Sequence, residues 1–247
     1  MSLRDQLVSN GNWLFRWRSY LPTLLVIPSV LALNELSPAR ELASGADLWA
    51  LFCLGISLVG LLVRVLTIGY VPQRTSGRNT KEGQIADTLN TTGIYAVVRH
   101  PLYLGNFIIW LGISLFPMHW WLSVIFVLTF WLYYERIILA EEAFLEQKFG
   151  EYWRRWARTT PTFIPRLWGW KKPPLPFSFR NVLRREYSGL AGIIICFYLL
   201  ELYTQVREHD RWEVHPVWSV ILLLGVVAYV TLRTLKKKTR LLAIEGR

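Results

Sequence analysis

The feature that most constrains the fold is a series of apolar runs long enough to cross a membrane. A transmembrane helix needs about 20 predominantly apolar residues. Hydrophobic residues make up 53% of the chain and charged residues only 18%, which excludes a disordered chain. The sequence therefore predicts an all-α polytopic membrane protein with about six transmembrane helices. The apolar runs occupy roughly residues 20–36, 47–66, 102–117, 120–138, 187–206 and 214–233.

The clearest local prediction is a membrane hairpin. Residues 101–134 contain no formal charge when His119 is neutral, and this length suits two helices joined by a tight turn at residues 116–119. Other runs are shorter and are flanked by Arg64 and Arg207, whose aliphatic stems are expected to carry their charged heads to water. We interpret four tryptophans as anchors at the outer interface, namely Trp120, Trp121, Trp212 and Trp218.

The distribution of basic residues predicts the orientation. Cytoplasmic loops of membrane proteins hold most of the Lys and Arg residues. With six crossings and an inside N-terminus, 25 of the 28 basic residues fall in inside segments, and the others are Arg40, Arg207 and Arg211. We therefore expect both termini and the two long polar segments to face the cytoplasm.

We expect one membrane domain over residues 1–243, with a core at about 71–170 and an additional helix pair at 187–235. The first apolar run lacks a convincing cleavage site and is expected to remain as a membrane helix. Residues 244–247, Ile-Glu-Gly-Arg, read like the remnant of a protease site and are not expected to contribute to function.

Several classes of protein are excluded by absent motifs. No two glycines are separated by a single residue, so the glycine loop of dinucleotide-binding proteins is missing. The four histidines show no metal-ligand spacing, and Cys53 and Cys196 lie alone in apolar runs, which argues against a metal or a disulfide framework. The net charge of +11 is interrupted by membrane-length runs, so nucleic acid is not an expected partner.

The first polar segment that could carry chemistry is residues 73–101. Pro101 suits the first position of a helix, and the backbone N–H groups at that helix start, with Arg99 and His100 beside them, form a natural anion site. Arg74, Arg78 and Lys81 could bind an anionic group. The alternative for these three is that they are ordinary basic residues of a solvated cytoplasmic loop.

The second polar segment continues the fourth apolar run. On one continuous helix, Glu141 and Glu142 flank an apolar stripe formed by Ile138, Leu145, Phe149, Tyr152 and Trp156. Carboxylates beside a packed face need a cation or hydrogen bonds, because an isolated buried charge is costly. Two readings remain open. The acids could form a structural ion pair with Arg99 or Arg136, or they could bind a cationic ligand.

These motifs together resemble a known family. The string RHPLYLG at residues 99–105, a membrane hairpin, Glu141 and Glu142, then FGEYWRRW and a proline-bearing stretch at residues 159–165 resemble isoprenylcysteine carboxyl methyltransferases and phospholipid methyltransferases. The resemblance covers about residues 95–165 and implies S-adenosylmethionine bound on the cytosolic side. The cofactor-binding positions that it implies are His100, Pro101, Tyr103, Leu104, Gly105, Glu141 and Glu142.

We assign the remaining roles as hypotheses. Arg99, His100 and Glu142 are the expected catalytic residues. The substrate-binding candidates are Arg74, Arg78, Lys81, Asn90, Tyr95 and Arg99.

The expected reaction is methyl transfer to an anionic oxygen, a phosphate or a carboxylate, on the head group of a membrane lipid. The GxG motif of the phospholipid N-methylating branch is absent, and the strings TSGRNT and LNTTG are most similar to bacterial members, among which lipid A phosphate methylation is known. We therefore expect an enzyme of a bacterial inner membrane whose partners are the bilayer and its lipid substrate. The alternatives are a phospholipid N-methyltransferase, an NADPH-dependent membrane lipid reductase and a non-enzymatic transporter.

Overall fold

A computed structural model describes residues 2–17, 24, 26–32, 46–75, 84–210, 212–244 and 246. These residues form eight α-helices, two short 3-10 turns at Ile94–Ala96 and Leu167–Gly169, and no named β-strand. The helices are α1 (Leu3–Trp17), α2 (Val26–Ala32), α3 (Ala46–Tyr70), α4 (Pro101–Leu115), α5 (Trp120–Phe149), α6 (Glu151–Thr159), α7 (Phe179–His209) and α8 (Pro216–Lys238).

The helix lengths confirm an all-α polytopic membrane protein. Within the described residues, α3, α5, α7 and α8 are long and apolar enough to cross a membrane, and α4 is a shorter apolar helix. The first predicted run, residues 20–36, lies mostly outside the described residues, which include only α2 and residue 24 of it. The prediction of about six crossings is therefore tested at five of its runs.

The predicted hairpin is confirmed, because α4 ends at Leu115 and α5 begins at Trp120. However, α5 continues to Phe149, about three turns beyond its apolar run. Gly150 then adopts φ 54° and separates α5 from α6. The prediction of one stripe from residue 138 to residue 156 is wrong at Tyr152, which is 51% exposed, because the helix does not continue through Gly150.

Small residues bring α3 and α4 into close contact. A Cβ atom on Gly105 would lie 2.5 Å from Arg64 Cγ and 2.8 Å from the carbonyl oxygen of Gly60. One turn further along α4, the Ser57 hydroxyl donates to the Ile109 carbonyl oxygen at 2.8 Å. Membrane helices commonly pack through such small residues, since lipid provides no hydrophobic force between them. This contact fixes α4, and with it the residues at its start.

The additional helix pair packs on α3 rather than standing apart. In the core between α3, α4, α7 and α8, Phe197 stacks on Trp218 with ring centroids 6.3 Å apart. Trp218 is only 2% exposed, so its prediction as an interface anchor is wrong. Trp120 and Trp212 are each 78% exposed, as anchors should be. Tight packing on the aromatic ring of Phe197 accounts for the burial of Trp218.

Arg64 also departs from its predicted environment. Its guanidinium donates to both carboxylate oxygens of Glu186 on α7, at 2.8 and 2.9 Å, and to Asn106 Oδ1 on α4 at 2.6 Å. The expected extension of this side chain to water is therefore wrong. The cause is Glu186, whose side chain is 5% exposed and provides a paired acceptor inside the bundle.

Candidate functional site

The centre of the candidate site is His100, the residue before α4. Its imidazole Nε2 lies 3.0 Å from Glu142 Oε1, and its Nδ1 lies 3.7 Å from Glu141 Oε2. The Tyr103 hydroxyl donates to Glu141 Oε2 at 2.7 Å, and the Tyr103 ring stacks on the imidazole. The start of α4 and the last third of α5 thus bring two acids to one buried histidine.

The two acids determine the charge of His100. Burial opposes the charged form of the imidazole, but the hydrogen bonds and negative charges of Glu141 and Glu142 outweigh it and raise the pKa of His100 from 6.5 to about 9. At neutral pH the imidazole is therefore protonated. A protonated imidazole donates hydrogen bonds and does not accept a proton, so His100 serves as a fixed cation between the acids.

Arg99 supplies a second cation to the same acids. Its Nη1 lies 3.0 Å from Glu142 Oε1, and its Nη2 donates to the Thr162 hydroxyl. The Arg99 backbone N–H donates to the Pro161 carbonyl oxygen at 2.9 Å, which ties the residues before α4 to the segment after α6. The Arg99 Nε atom is buried and has no hydrogen-bond partner among the described residues. This donor is available to a ligand.

A small polar cavity adjoins the cluster. It holds about 50 Å³ and is lined by His100, Glu141 and Arg99 together with Asn90, Tyr95 and Gln84. The buried Gln84 Oε1 atom also has no hydrogen-bond partner among the described residues. Burial and the negative charge of Glu141 raise the pKa of Tyr95, so its hydroxyl stays protonated. One unsatisfied acceptor and one unsatisfied donor thus line the same cavity.

A larger groove lies on the other side of Tyr103. It encloses about 1,100 Å³ between α3, α4 and α7 and runs from Arg64 and Glu186 toward Trp212. Most of its lining is apolar. Tyr103 lines this groove while its hydroxyl contacts Glu141, so one side chain joins the groove to the acid cluster. Along α7 the lining residues extend over about 30 Å, the thickness of a hydrocarbon core.

The predicted site residues fall into three groups: those at the cluster, those of α4 that pack elsewhere, and the basic residues proposed to bind a head group. Seven lie in or beside the cluster, namely Asn90, Tyr95, Arg99, His100, Tyr103, Glu141 and Glu142. Pro101 is buried at the first turn of α4, and Gly105 faces α3 instead of the cavity. Leu104 donates its backbone N–H to the His100 carbonyl oxygen.

The prediction that Arg74, Arg78 and Lys81 bind a head group has less support. Arg74 is largely exposed and forms an ion pair with Asp87 at 3.6 Å. Arg78 and Lys81 lie outside the described residues. The helix start also contributes less than expected, because the backbone N–H groups of Tyr103 and Leu104 both donate to the His100 carbonyl oxygen. The positive charge at the cluster therefore comes from side chains.

Sequence reasoning missed a polar chain that leads from the cluster into the bundle. The Tyr103 and Tyr134 rings lie 4.9 Å apart, and Asn106 donates to the Tyr134 hydroxyl at 3.2 Å. Asn106 in turn accepts from Arg64, which pairs with Glu186. The position of Arg64 inside an apolar run could have marked it as functional, since charged residues within membrane helices mark functional positions. No local signal links it to Glu186.

Within the described residues, no group of three or more His, Cys, Asp or Glu side chains could hold a metal ion. The chemistry of the cluster is instead that of two carboxylates, two cations and a phenol around a small cavity. Such an arrangement can bind a ligand that carries both positive and negative groups.

Parts of the chain are similar to known proteins. Residues 49–152 match the phospholipid methyltransferase family. A nickel-cobalt-cadmium resistance protein of Alcaligenes xylosoxydans xylosoxydans is 38% identical over 112 residues, which are 44% of this chain and 49% of that protein. The protein-S-isoprenylcysteine O-methyltransferase of Schizosaccharomyces pombe is 38% identical over 77 residues, 31% of this chain and 33% of the relative. The Homo sapiens protein of the same name is 28% identical over 180 residues, 64% of this chain and 63% of the relative.

The chain spans less than half the length of the bacterial and fission-yeast relatives. No solved structure matches the chain significantly. The family match includes His100, Glu141 and Glu142, whereas α7 and α8 follow it in the chain. Residues 49–152 therefore match the phospholipid methyltransferase family, and parts of the chain are similar to isoprenylcysteine O-methyltransferases.

Proposed function

We propose that this protein transfers a methyl group from S-adenosylmethionine to an anionic oxygen on the head group of a membrane lipid. The observation that carries the proposal is the contact of Glu141 and Glu142 with His100 and Arg99 at the start of α4. This cluster lies inside the segment that matches the phospholipid methyltransferase family. The family match supports methylation of a membrane substrate in general, and the anionic lipid oxygen is our more specific proposal.

The polar groups at the cavity suit this cofactor. S-adenosylmethionine carries a sulfonium, an ammonium and a carboxylate. Glu141 and Glu142 would hold the cationic groups or the ribose hydroxyls, the free Arg99 Nε would donate to the carboxylate, and Gln84 Oε1 would accept a hydrogen bond. Unsatisfied buried polar groups are costly, so a ligand that satisfies both of them stabilises the site.

The size of the cavity requires a movement. Small-molecule pockets measure roughly 300–1,000 Å³, well above the 50 Å³ of the cavity beside His100. Residues 84–90 form one wall of that cavity, whereas Glu141 and His100 on the opposite side are held by helices α5 and α4. We infer that residues 84–90 move outward when the cofactor binds and that the acids keep their positions.

The cofactor supplies an electrophilic methyl group on a sulfonium. An acceptor oxygen that is already anionic needs no base, which agrees with a His100 that is protonated at neutral pH. The residues of this chain would orient the reactants, and such positioning supplies about 7–11 kcal/mol. Apolar side chains of Ala86, Leu89, Phe144 and Leu145 line the cavity and would keep water out. Exclusion of water favours a reaction in which opposite charges are lost.

The groove between α3, α4 and α7 is the proposed path for the acceptor. Its apolar walls suit hydrocarbon chains, and its cytosolic-side end contains Arg64, Arg185 and Glu186, which carry a net positive charge. Tyr103 lies at the boundary between this end and the acid cluster. A lipid would enter sideways from the bilayer, while the soluble cofactor would arrive from the cytosol. We propose that the site faces the cytoplasm at a bacterial inner membrane, which would let both reactants reach it.

The acceptor is identified by incubating the purified protein and methyl-labelled S-adenosylmethionine with total membrane lipid and locating the label in the product. We expect label on a phosphate or carboxylate oxygen, with lipid A phosphate as the first candidate. A control variant, Glu142→Gln, should abolish labelling. Label on the nitrogen of phosphatidylethanolamine would show that the oxygen-acceptor proposal is wrong.

A further inference from the structure

A basic and aromatic segment follows α6 and lies beside Arg99. Residues 158–172, RTTPTFIPRLWGWKK, carry four basic residues and no acid. Three large apolar side chains in this segment face outward, with Ile164 78%, Leu167 71% and Trp168 90% exposed. An exposed patch of this kind marks an interaction surface, because a solvated loop would not present such side chains together.

The segment lies at the level of the membrane helices. The Phe163 ring is 5.7 Å from Phe107 on α4 and 6.2 Å from Trp131 on α5. Phe107 is in the second turn of α4, about 9 Å along the helix from Pro101. Trp131 is itself 56% exposed on a membrane-spanning helix. The apolar side chains next to Phe163 therefore lie where a bilayer meets water.

The backbone holds this segment firmly against the start of α4. The Arg99 N–H donates to the Pro161 carbonyl oxygen at 2.9 Å, and the Arg166 N–H donates to the Val97 carbonyl oxygen at 3.0 Å. Gly169 approaches the Ala96 carbonyl oxygen so closely that a Cβ atom would lie 2.7 Å from it. The segment is thus a fixed surface and not a free loop.

An open cleft of about 680 Å³ lies between this segment and the end of α6. It is lined by Arg99, Arg158 and Arg166 and by the hydroxyl-bearing residues Thr159, Thr160 and Thr162, and Ile164, Leu167 and Trp168 lie at its edge. Arg99 is the least exposed of the three arginines, and its Nη1 pairs with Glu142. Three guanidinium groups beside hydroxyls form a site for an anion with several oxygens.

We propose that this cleft binds the phosphate of an anionic membrane lipid, with Ile164, Leu167 and Trp168 in contact with its acyl chains. Guanidinium groups in the cleft would pair with the phosphate, and aromatic and aliphatic side chains at the edge suit the interface. A bound phosphate also holds Arg99, and so links lipid binding to the position of the group that pairs with Glu142. The inference does not depend on the proposed function, since it concerns binding of the lipid and not its methylation.

The test is a titration of the full chain, in neutral detergent and without cofactor, with short-chain phosphatidic acid that carries a fluorescent label on one tail. The combined variant Arg158→Gln and Arg166→Gln should weaken binding at least tenfold. The control variant Lys148→Gln and Arg155→Gln removes the same charge from exposed positions outside the cleft and should change affinity less than twofold. Phosphatidylcholine with the same tails should bind at least tenfold more weakly than phosphatidic acid.

Equal weakening by the two combined variants would overturn the proposal, because it would show only diffuse charge attraction. Unchanged binding in both variants would overturn it as well. If the titration gives the expected result while no lipid is methylated, the proposed function fails and the lipid site stands. If lipid is methylated while Arg158→Gln with Arg166→Gln binds phosphatidic acid normally, the lipid site fails and the proposed function stands.

Discussion

Arg64 on α3 and Glu186 on α7 form a two-point ion pair, with both carboxylate oxygens within 2.9 Å of guanidinium nitrogens. Arg64 belongs to the segment that matches the phospholipid methyltransferase family, and Glu186 follows that segment. The pair therefore attaches the additional helices to the core and defines the polar end of the groove beside Tyr103.

We predict that Glu186→Gln lowers the free energy of unfolding by about 3 kcal/mol, because it leaves a guanidinium buried without its partner. The combined variant Arg64→Met with Glu186→Met should recover most of this loss, since apolar replacement of both partners removes the unpaired charge. The measurement is thermal unfolding in detergent, with the exposed Glu151→Gln as the control. A loss as small in Glu186→Gln as in Glu151→Gln would contradict the account.

The protonation of His100 predicts a pH dependence of stability. The pKa of His100 is raised from 6.5 to about 9, so its contribution is complete below pH 6.5 and is lost as the pH rises through 9. The charged groups that face the ring are Glu141 and Glu142, with Arg99 on the far side of Glu142. We expect the wild-type protein to lose up to about 3 kcal/mol of stability between pH 6.5 and 9 that His100→Gln does not lose.

Unfolding midpoints at several pH values across this range provide the measurement. Parallel curves for the wild-type protein and His100→Gln would show that the imidazole is not held charged by the two acids.

If the acceptor enters through the groove, a substitution that fills the groove should change the KM for the acceptor and leave cofactor affinity unchanged. A Cβ atom on Gly192, which lines the groove, would meet nothing within 4 Å, so we expect the side chain of Gly192→Leu to extend into the groove. We expect this variant to raise the KM for the lipid acceptor at least fivefold and to leave cofactor affinity unchanged. Gly55→Leu is the matched control, because Gly55 on α3 is equally open and does not line the groove. Equal kinetics of the two variants would exclude the groove as the path for the acceptor.

The hydrogen bond from the Tyr103 hydroxyl to Glu141 is predicted to contribute to cofactor affinity. Tyr103→Phe removes a donor to a charged carboxylate, a bond worth about 1.5–3 kcal/mol. We expect cofactor affinity to fall roughly 10- to 100-fold by equilibrium binding. Tyr133→Phe is the control, since the Tyr133 hydroxyl donates to the Leu14 carbonyl oxygen instead. If Tyr103→Phe binds the cofactor as well as Tyr133→Phe does, Glu141 is not positioned by this bond.

The sequence predicted the hairpin, and the hairpin explains why His100 meets Glu141 and Glu142. A tight turn between two apolar helices makes them antiparallel neighbours, so residues before α4 and late in α5 lie at the same end. The sequence left open whether Glu141 and Glu142 form an ion pair or bind a ligand. The structure contains an ion pair and also a buried donor without a partner among the described residues. Arg99 pairs with Glu142, while its Nε atom has no hydrogen-bond partner among the described residues.

The contacts that sequence reasoning missed are those between distant elements. Arg64 and Glu186 are 122 residues apart, and periodicity describes only neighbours along one helix. The same limit explains Trp218, whose burial depends on Phe197 of another helix. The helix break at Gly150 involves only one residue and its chain neighbours. The sequence does not predict it, because a single glycine is also tolerated within a helix, and only the structure shows the positive φ.

The measurement that tests the central claim most directly is calorimetric titration of the purified protein with S-adenosylmethionine. We predict micromolar binding that is lost in Glu142→Gln and retained in Glu146→Gln, which lies about one turn further along α5 and pairs with Arg154. NADPH should not bind. Binding of NADPH alone would favour a reductase, and S-adenosylmethionine binding that is equal in the wild-type protein and Glu142→Gln would contradict the assignment of the acid pair.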